Sequence, residues 1–299
     1  PTGEAHMVAS ESAALTFLGY EPVRDLKPGE VLSVGFDGKV QHRIVKQERT
    51  RNCMFEWVYF ASPESEIDGV PVYGARIRLG ISLAKLLKVA LKKRKIEADL
   101  VVPVPETSRI AAIALAEEIG IPYREVLIKN RYIKRTFLLD SQEKRQKAVG
   151  LKLSPVRSEI KGKRVIVVDD SIVRGTTSRK IIELVRQAGA SKVYFISTCP
   201  PIRFPCYYGI DFPNRDELIA ADRDAAQIEK ELGADAVIYQ DVEGLRQAIF
   251  GTKGGDAKER RPCMACLDGK YPTDISQGIA LGTARARDRA VQEEEGVRT

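Results

Sequence analysis

The chain has 299 residues, 43% of them hydrophobic and 30% charged, which is enough to bury the cores of about two domains. No apolar run approaches the roughly 20 residues of a membrane helix, and five cysteines at this length do not indicate a secreted disulfide scaffold. The formal net charge of +7 favours anionic ligands, whether small phosphorylated molecules or nucleic acid. No signal peptide is seen, so we expect a cytoplasmic protein.

The N-terminal part of the sequence predicts β-structure. Residues 1–50 read as short strands with turns at 26–30 and 36–38, and the aromatic run 53–61 predicts a further strand. Apolar residues at helical spacing over 76–95, beside many lysines and arginines, predict a helix with a basic, solvated face.

An alternating pattern of strands and helices follows. Near-continuous apolar runs predict buried parallel strands over 99–105, 163–168, 192–198 and 234–240. One helix is predicted from Thr107 or Ser108, as the N-cap, to Gly120, and another from Thr176 or Thr177 to Gly189. This alternation predicts an α/β fold with a parallel sheet flanked by helices, and ligands bind beyond the carboxyl ends of such strands.

The run VIVVDDSIVRGTTSRK at 165–180 carries the strongest chemical signal. Two adjacent carboxylates after an apolar strand are costly unless a ligand or metal neutralises them, and they suit the vicinal hydroxyls of a ribose. The turn that follows offers backbone N–H groups, threonine hydroxyls and a positive helix end to a phosphate. A plain capped helix would explain DDS alone, but the full run favours a phosphoribose site. Its candidate residues are Asp169, Asp170, Ser171, Arg174, Gly175, Thr176, Thr177 and Ser178.

Two further segments fit the same chemistry. The PETS turn, formed by Pro105, Glu106, Thr107 and Ser108, follows the preceding predicted strand and would supply a second anion site, although alone it is equally a capped helix. The cation-rich stretch 129–147 is either a solvated linker or a lid that closes over phosphate charge and excludes water. The lid hypothesis assigns phosphate contacts to Lys129, Arg131, Arg135 and Lys144 or Arg145.

With PVPETS, KNRYIKRTF and FPCYYGID, these motifs make the chain resemble the amidophosphoribosyltransferase (glutamine phosphoribosylpyrophosphate amidotransferase) family over about residues 5–275. The resemblance implies an N-terminal-nucleophile glutaminase domain joined to a type I phosphoribosyltransferase domain. Ammonia released from glutamine in the first domain displaces pyrophosphate from C1 of phosphoribosyl pyrophosphate (PRPP) in the second. The product, 5-phosphoribosylamine, is the first committed intermediate of purine biosynthesis.

The resemblance also implies roles for individual residues. Asp169 and Asp170 would bind the ribose hydroxyls and magnesium, residues 174–178 the 5-phosphate, and Thr107 the metal and the diphosphate. Neutral ammonia needs no protein nucleophile or base, so we expect catalysis by charge stabilisation in a dry pocket. The expected catalytic residues are Asp169, Asp170, Lys129, Arg131 and Arg135, with Lys144 and Arg145 on the lid.

The chain departs from the family pattern at its start. The family's glutaminase nucleophile is an N-terminal cysteine, whereas Pro1 stands here and the first cysteine is Cys53. We therefore expect a glutaminase-domain remnant over 1–50, the transferase domain over 51–250 and a tail over 251–299. This chain should then use ammonia but not glutamine.

The cysteines suggest a metal site. Cys263 and Cys266 have the C-x-x-C spacing at which two thiolates reach one metal, and Cys53 and Cys206 could complete a set of four. The resemblance implies a [4Fe–4S] cluster on these residues, while zinc and ordinary buried cysteines remain alternatives. Cys199 is left over and is most simply a core residue.

Two other functions remain open. A nucleobase salvage phosphoribosyltransferase would share the fold, and a PRPP-sensing regulator would bind DNA, although no helix-turn-helix segment is visible. The resemblance further implies feedback inhibition by purine nucleotides, a homotetramer or homodimer, and handover of the product to the next pathway enzyme. It implies neither a nucleic-acid nor a membrane partner.

Overall fold

The computed structural model describes residues 5–46, 50–130, 153–251, 261–276 and 278–279. The chain divides into two compact units. The first unit comprises residues 1–76 and 246–263, and the second comprises residues 77–245 and 264–299. Within the described residues, no helix is both long and apolar enough to cross a membrane.

The first unit is built from short elements. They are α1 (Ser12–Phe17), β1 (Glu30–Val34), β2 (Val40–Ile44), β3 (Glu66–Ile67) and β4 (Val70–Pro71). Strands β1 and β2 form an antiparallel hairpin, and the N–H of Gly38 donates to the carbonyl of Gly35 in its turn at 2.9 Å. This hairpin confirms the short strands and the turn at 36–38 that the sequence predicts.

The predicted aromatic strand over 53–61 is wrong. Residues Glu56–Phe60 form a short helix with π-type hydrogen bonding. Beneath it lies the buried side chain of Arg76, which donates from Nε to the Trp57 carbonyl at 2.9 Å. Its Nη2 donates to the carbonyls of Tyr59 at 3.2 Å and Ala61 at 2.8 Å. The buried guanidinium therefore satisfies carbonyls that a strand would pair with a neighbour, and composition alone did not show this.

The second unit contains a parallel sheet in the order β10-β9-β8-β5. Its strands confirm the predicted ones and are β5 (Leu100–Pro103), β8 (Arg164–Asp169), β9 (Lys192–Ser197) and β10 (Ala236–Tyr239). In β8, Val165 and Val167 join the core on one face of the sheet, while Ile166 and Val168 join the core on the other. Because both faces are covered, the strands read as continuous apolar runs.

The second unit also contains helices and a small two-stranded ribbon. The helices are α2 (Val72–Arg94), α3 (Arg109–Ile119), α4 (Arg157–Ile160), α5 (Thr176–Gln187), α6 (Ala225–Leu232), α7 (Val242–Phe250) and α8 (Ala265–Asp268), of which α2 and α7 have residues in both units. Helix α3 ends at Gly120, whose φ of 70° is left-handed, as predicted for a C-terminal cap. Strands β6 (Leu127–Lys129) and β7 (Leu153–Pro155) pair antiparallel.

Candidate active site

The two predicted loops leave the sheet side by side. Strands β5 and β8 are parallel neighbours, with Pro103 opposite Val168. The N–H of Val104 continues this pairing by donating to the Val168 carbonyl at 2.8 Å. The loop 104–108 and the loop 170–175 therefore start together at the carboxyl edge of the sheet, where the open α/β folds bind ligands.

Asp169 is the last residue of β8, and its side chain is buried. Burial, and after it the neighbouring charge of Asp170, raise the pKa of Asp169 well above its usual value, although its carboxylate accepts the Asp170 N–H at 2.9 Å. Asp170 is partly exposed, and its Oδ1 accepts the Ser171 hydroxyl at 2.8 Å. A pair in which one carboxylate is poorly solvated fits hydroxyl donors or a cation.

Thr198 supports this pair and was not predicted as a site residue. It directly follows β9, and its N–H donates to the Asp169 carbonyl at 3.0 Å. Its hydroxyl donates to the Asp170 carbonyl at 3.1 Å. The signal in the sequence was its position at the end of the next predicted strand, at the same edge of the sheet.

The loop after the two aspartates turns directly into α5. Gly175 is the N-cap residue with a φ of 77°, a left-handed conformation that favours glycine. Thr176 and Thr177 begin the helix and are exposed, whereas Ser178 is buried. The first N–H groups of a helix lack intrahelical acceptors and carry its positive end, so this turn can receive an anion.

The neighbouring loop holds the residues of the PETS turn. Ser108 occupies the N-cap position of α3, but its hydroxyl donates to the Val104 carbonyl and forms no side-chain cap. The expected cap at Ser108 is therefore wrong, because its backbone is helical (φ −78°, ψ −7°) and not extended as in a capping residue, and its oxygen accepts no N–H of the first turn. Thr107 and Pro105 are partly buried, and Glu106 is exposed.

Arg109 ties this loop to the segment that leads into β6, a contact the sequence did not reveal. Its Nη1 donates to Oε2 of Glu106 at 2.8 Å, and its Nη2 lies 3.0 Å from Oε2 of Glu125. Lys129 ends β6 opposite Leu153 and is exposed. The other predicted lid residues lie outside the described residues: Arg131, Arg135, Lys144 and Arg145.

Two of the four candidate ligand cysteines lie in each unit. In the first unit Cys53 and Cys263 form a parallel β-bridge. In the second, the Cys266 carbonyl accepts the N–H groups of Arg203 at 2.9 Å and Phe204 at 3.0 Å, just before Cys206.

The thiols are not oxidised to disulfides, but the described residues assemble no complete set of metal ligands. No disulfide joins any of the five cysteines, all of which lie in the described part of the chain. No group of three or more His, Cys, Asp or Glu side chains that could hold one metal occurs among the described residues.

Comparison with known proteins shows what the chain resembles. Residues 78–203 match the family model for the phosphoribosyl transferase domain. The chain is 44% identical over 278 residues to the amidophosphoribosyltransferase of Methanothermobacter thermautotrophicus, covering 93% of this chain and 56% of that protein. The Escherichia coli amidophosphoribosyltransferase is 43% identical over 297 residues, covering 98% of this chain and 58% of that protein.

A solved structure shows the same fold. Glutamine PRPP amidotransferase from Bacillus subtilis, complexed with ADP and GMP, superposes with a TM-score of 0.76 and 43% identity, covering 90% of this chain and 57% of that one. The second unit therefore has the type I phosphoribosyltransferase fold. The chain spans 56% to 58% of the length of these two curated relatives.

Proposed function

We propose that this chain, which matches the C-terminal portion of amidophosphoribosyltransferases over more than nine-tenths of its length, catalyses the transferase half of that family's reaction. Ammonia would attack C1 of PRPP, the bond from C1 to the diphosphate oxygen would break, the new ammonium group would lose one proton to pyrophosphate or water, and 5-phosphoribosylamine and pyrophosphate would leave. The observation that carries this proposal is the buried Asp169 beside Asp170 at one strand end, where the loops after β5 and β8 start side by side.

The aspartate pair would hold the sugar. Both carboxylates can accept the vicinal ribose hydroxyls, and Thr198 fixes the backbone carbonyls of both residues. The buried carboxyl of Asp169 also fits magnesium, because a cation would offset the burial and the neighbouring charge that raise its pKa. Mg²⁺ is commonly bound through one or two carboxylates and the substrate's phosphates, and Thr107 lies on the adjacent loop. When bound, the metal would neutralise charge on the diphosphate.

The two loops would divide the phosphates between them. The backbone N–H groups at the start of α5, with the exposed hydroxyls of Thr176 and Thr177, would bind the 5-phosphate. The 105–108 loop would receive the diphosphate, with Lys129 and the lid cations Arg131, Arg135, Lys144 and Arg145 as further partners. Departing diphosphate charge needs such cations, whereas neutral ammonia needs no base.

The cysteines would hold a [4Fe–4S] cluster, with zinc as the competing metal. Two observations support a metal: the adjacency within the pair of Cys53 and Cys263, and the N–H of Tyr208, which donates to Sγ of Cys206 at 3.4 Å. Such N–H···S bonds stabilise thiolate ligands. Iron and sulfide in anaerobically purified protein, with broad absorbance at about 400 nm, would support the cluster. Stoichiometric zinc in colourless protein would refute it.

The domain assignments and partners belong to the same proposal. Residues 1–50 would be the end of a glutaminase domain, 51–250 the transferase domain and 251–299 the tail. The Bacillus subtilis relative was solved with ADP and GMP, which supports purine nucleotides as inhibitors of this chain. A homodimer or homotetramer, product handover and a cytoplasmic location would follow the family.

The proposal is tested by pyrophosphate release from PRPP and magnesium, with ammonium, glutamine or no amine. Release with ammonium, but neither with glutamine nor without an amine, would support the transferase and the expected inability to use glutamine. Release with glutamine would contradict that expectation. Release with a purine base but not with ammonium would favour a salvage enzyme, and binding of PRPP without turnover would favour a PRPP-sensing regulator.

A further inference from the structure

The hydrogen bonds of the Arg174 side chain go to a distant segment of the chain rather than to the helix start that would receive the 5-phosphate. Its Nε donates to Oε2 of Glu217 at 2.6 Å, and Nη2 also pairs with that oxygen. Nη2 donates in addition to the carbonyl of Asp211 at 2.8 Å. The guanidinium thus joins the loop 170–175 to a segment 37 to 43 residues later in the chain.

Glu217 is itself held in place. It ends a short 3₁₀ turn, Arg215–Glu217, and its second carboxylate oxygen accepts the side-chain amide of Asn214 at 2.7 Å. Both oxygens of the carboxylate are therefore engaged. A charged pair with such restrained geometry contributes more to orientation than to overall stability.

The same segment contacts the loop on both sides of Arg174. The N–H of Ile219 donates to the Val173 carbonyl at 3.0 Å. A Cβ atom on Gly175 would lie 2.5 Å from Cδ1 of Ile219, so the absence of a side chain there permits the close approach. The ion pair, the backbone bond and this packing together hold residues 173–175 against one wall.

We propose that Arg174 and Glu217 are positioning residues, which fix the loop so that the N–H groups at the start of α5 face the 5-phosphate. This inference rests on the proposed function, because it deepens the account of the same site. Phosphate binding by backbone donors depends on the direction of those N–H groups, so a loop released from its wall binds less tightly. If Arg174 were instead a direct ligand, loss of Glu217 would release the guanidinium toward the phosphate and strengthen binding.

Ribose 5-phosphate is the probe, because it carries the 5-phosphate and is not turned over. We would measure its Kd by calorimetry with the 299-residue chain and magnesium. We expect Glu217→Gln and Arg174→Gln each to weaken binding about tenfold, and the double variant to be no weaker than either alone. The exchange Arg174→Glu with Glu217→Arg should recover binding to within about threefold of the wild type. The KM for PRPP should rise in parallel while kcat stays within about twofold.

A matched control is available on the same helix. Arg179 pairs with Glu231, and the side chains in this pair are 42% and 46% exposed, against 39% and 30% for Arg174 and Glu217. Arg179→Gln and Glu231→Gln should leave the Kd unchanged. The melting temperature of each variant would distinguish a released loop, which leaves the melting temperature unchanged, from unfolding, which lowers it.

The outcomes separate this inference from the proposed function. Unchanged or tighter binding by Glu217→Gln, with weaker binding by Arg174→Gln, would make Arg174 a direct ligand and overturn the inference. Additive losses in the double variant would overturn it as well. A wild-type chain that binds neither ribose 5-phosphate nor PRPP would overturn the proposed function itself.

Discussion

Asp99 and Arg164 are joined by several hydrogen bonds at the amino edge of the sheet, opposite the candidate active site. Oδ2 of Asp99 accepts the main-chain N–H of Arg164 at 2.8 Å and its Nε at 2.9 Å, while Oδ1 accepts Nη2 at 2.6 Å. The guanidinium and then the backbone N–H lower the pKa of Asp99 to about 2. This contact fastens β5 to β8 at the end where both strands begin.

Asp99→Asn should lower stability without lowering activity. A carboxyl whose folded pKa lies below its ordinary value of about 3.9 stabilises the fold above that pH, and this contribution is lost as pH falls toward 2. The Asp99 side chain is 37% exposed, so solvent screening keeps the effect small, about 2 to 4 °C in melting temperature at pH 7. Melting curves from pH 7 to pH 2 should show the variant losing less with acid than the wild type. If the variant and the wild type lost melting temperature equally with acid, the expected contribution of the Asp99 carboxylate would be contradicted.

Asp169→Asn should have the opposite effect to Asp99→Asn, because it should lower activity without lowering stability at pH 7. Turnover of PRPP with ammonium should fall by at least about 100-fold, because the variant loses the carboxylate that we propose as a ligand for the ribose hydroxyls and the metal. Burial and Asp170 raise the pKa of Asp169, so the folded state holds this proton more tightly than the unfolded chain. The contribution of Asp169 to wild-type stability therefore falls as pH rises above about 4, and the neutral amide removes that loss.

The comparison of these two variants supplies the control. Asp169→Asn should melt at or above the wild-type temperature at pH 7, whereas Asp99→Asn should melt below it and keep its turnover. If Asp169→Asn kept turnover within a few-fold, the assignment of the ribose-binding carboxylates would be wrong.

Gly175→Ala should impair both the fold and PRPP binding. The φ of Gly175 is +77°, and a Cβ there would meet the buried side chains of Ile219 at 2.5 Å and Leu232 at 3.0 Å. Gly233 has a similar φ of +72°, and a Cβ there would meet no atom within 4 Å, so Gly233→Ala isolates the backbone penalty of about 1 kcal/mol. We expect a larger loss of stability for Gly175→Ala, and a rise in KM for PRPP in that variant alone. If Gly175→Ala and Gly233→Ala lowered stability equally, the packing of residue 175 against Ile219 would be unimportant.

Arg76→Met should destabilise the first unit by about 3 kcal/mol, because it leaves the carbonyls of Trp57, Tyr59 and Ala61 without this donor. Arg76→Lys keeps the charge but not the planar fork, so its loss should be intermediate. The chain has one tryptophan, so urea unfolding followed by Trp57 emission reports on this turn. A midpoint unchanged in both variants would show that the guanidinium is dispensable.

The sheet and the position of the two aspartates at its edge were predictable from the sequence, because they depend on local patterns. The apolar runs of β5 and β8 imply strands covered on both faces, and the aspartates at the end of β8 follow from chain order. Contacts between distant segments were not predictable. Nothing near Arg174 in the sequence points to Glu217, and nothing in the aromatic run 53–61 points to Arg76 below it.

The two-sided burial of β8 also bears on which parts of the molecule open. The side chains of Val165 to Val168 are all completely buried, so the amides of this strand should exchange with deuterium most slowly, through openings close to global unfolding. Most residues of the loop 170–175 that follows it are partly or fully exposed, and this loop should exchange through smaller local openings. The carboxylate proposed to bind the sugar would thus be anchored on one of the most protected of the described segments, and release of product would require only the loops around it to loosen.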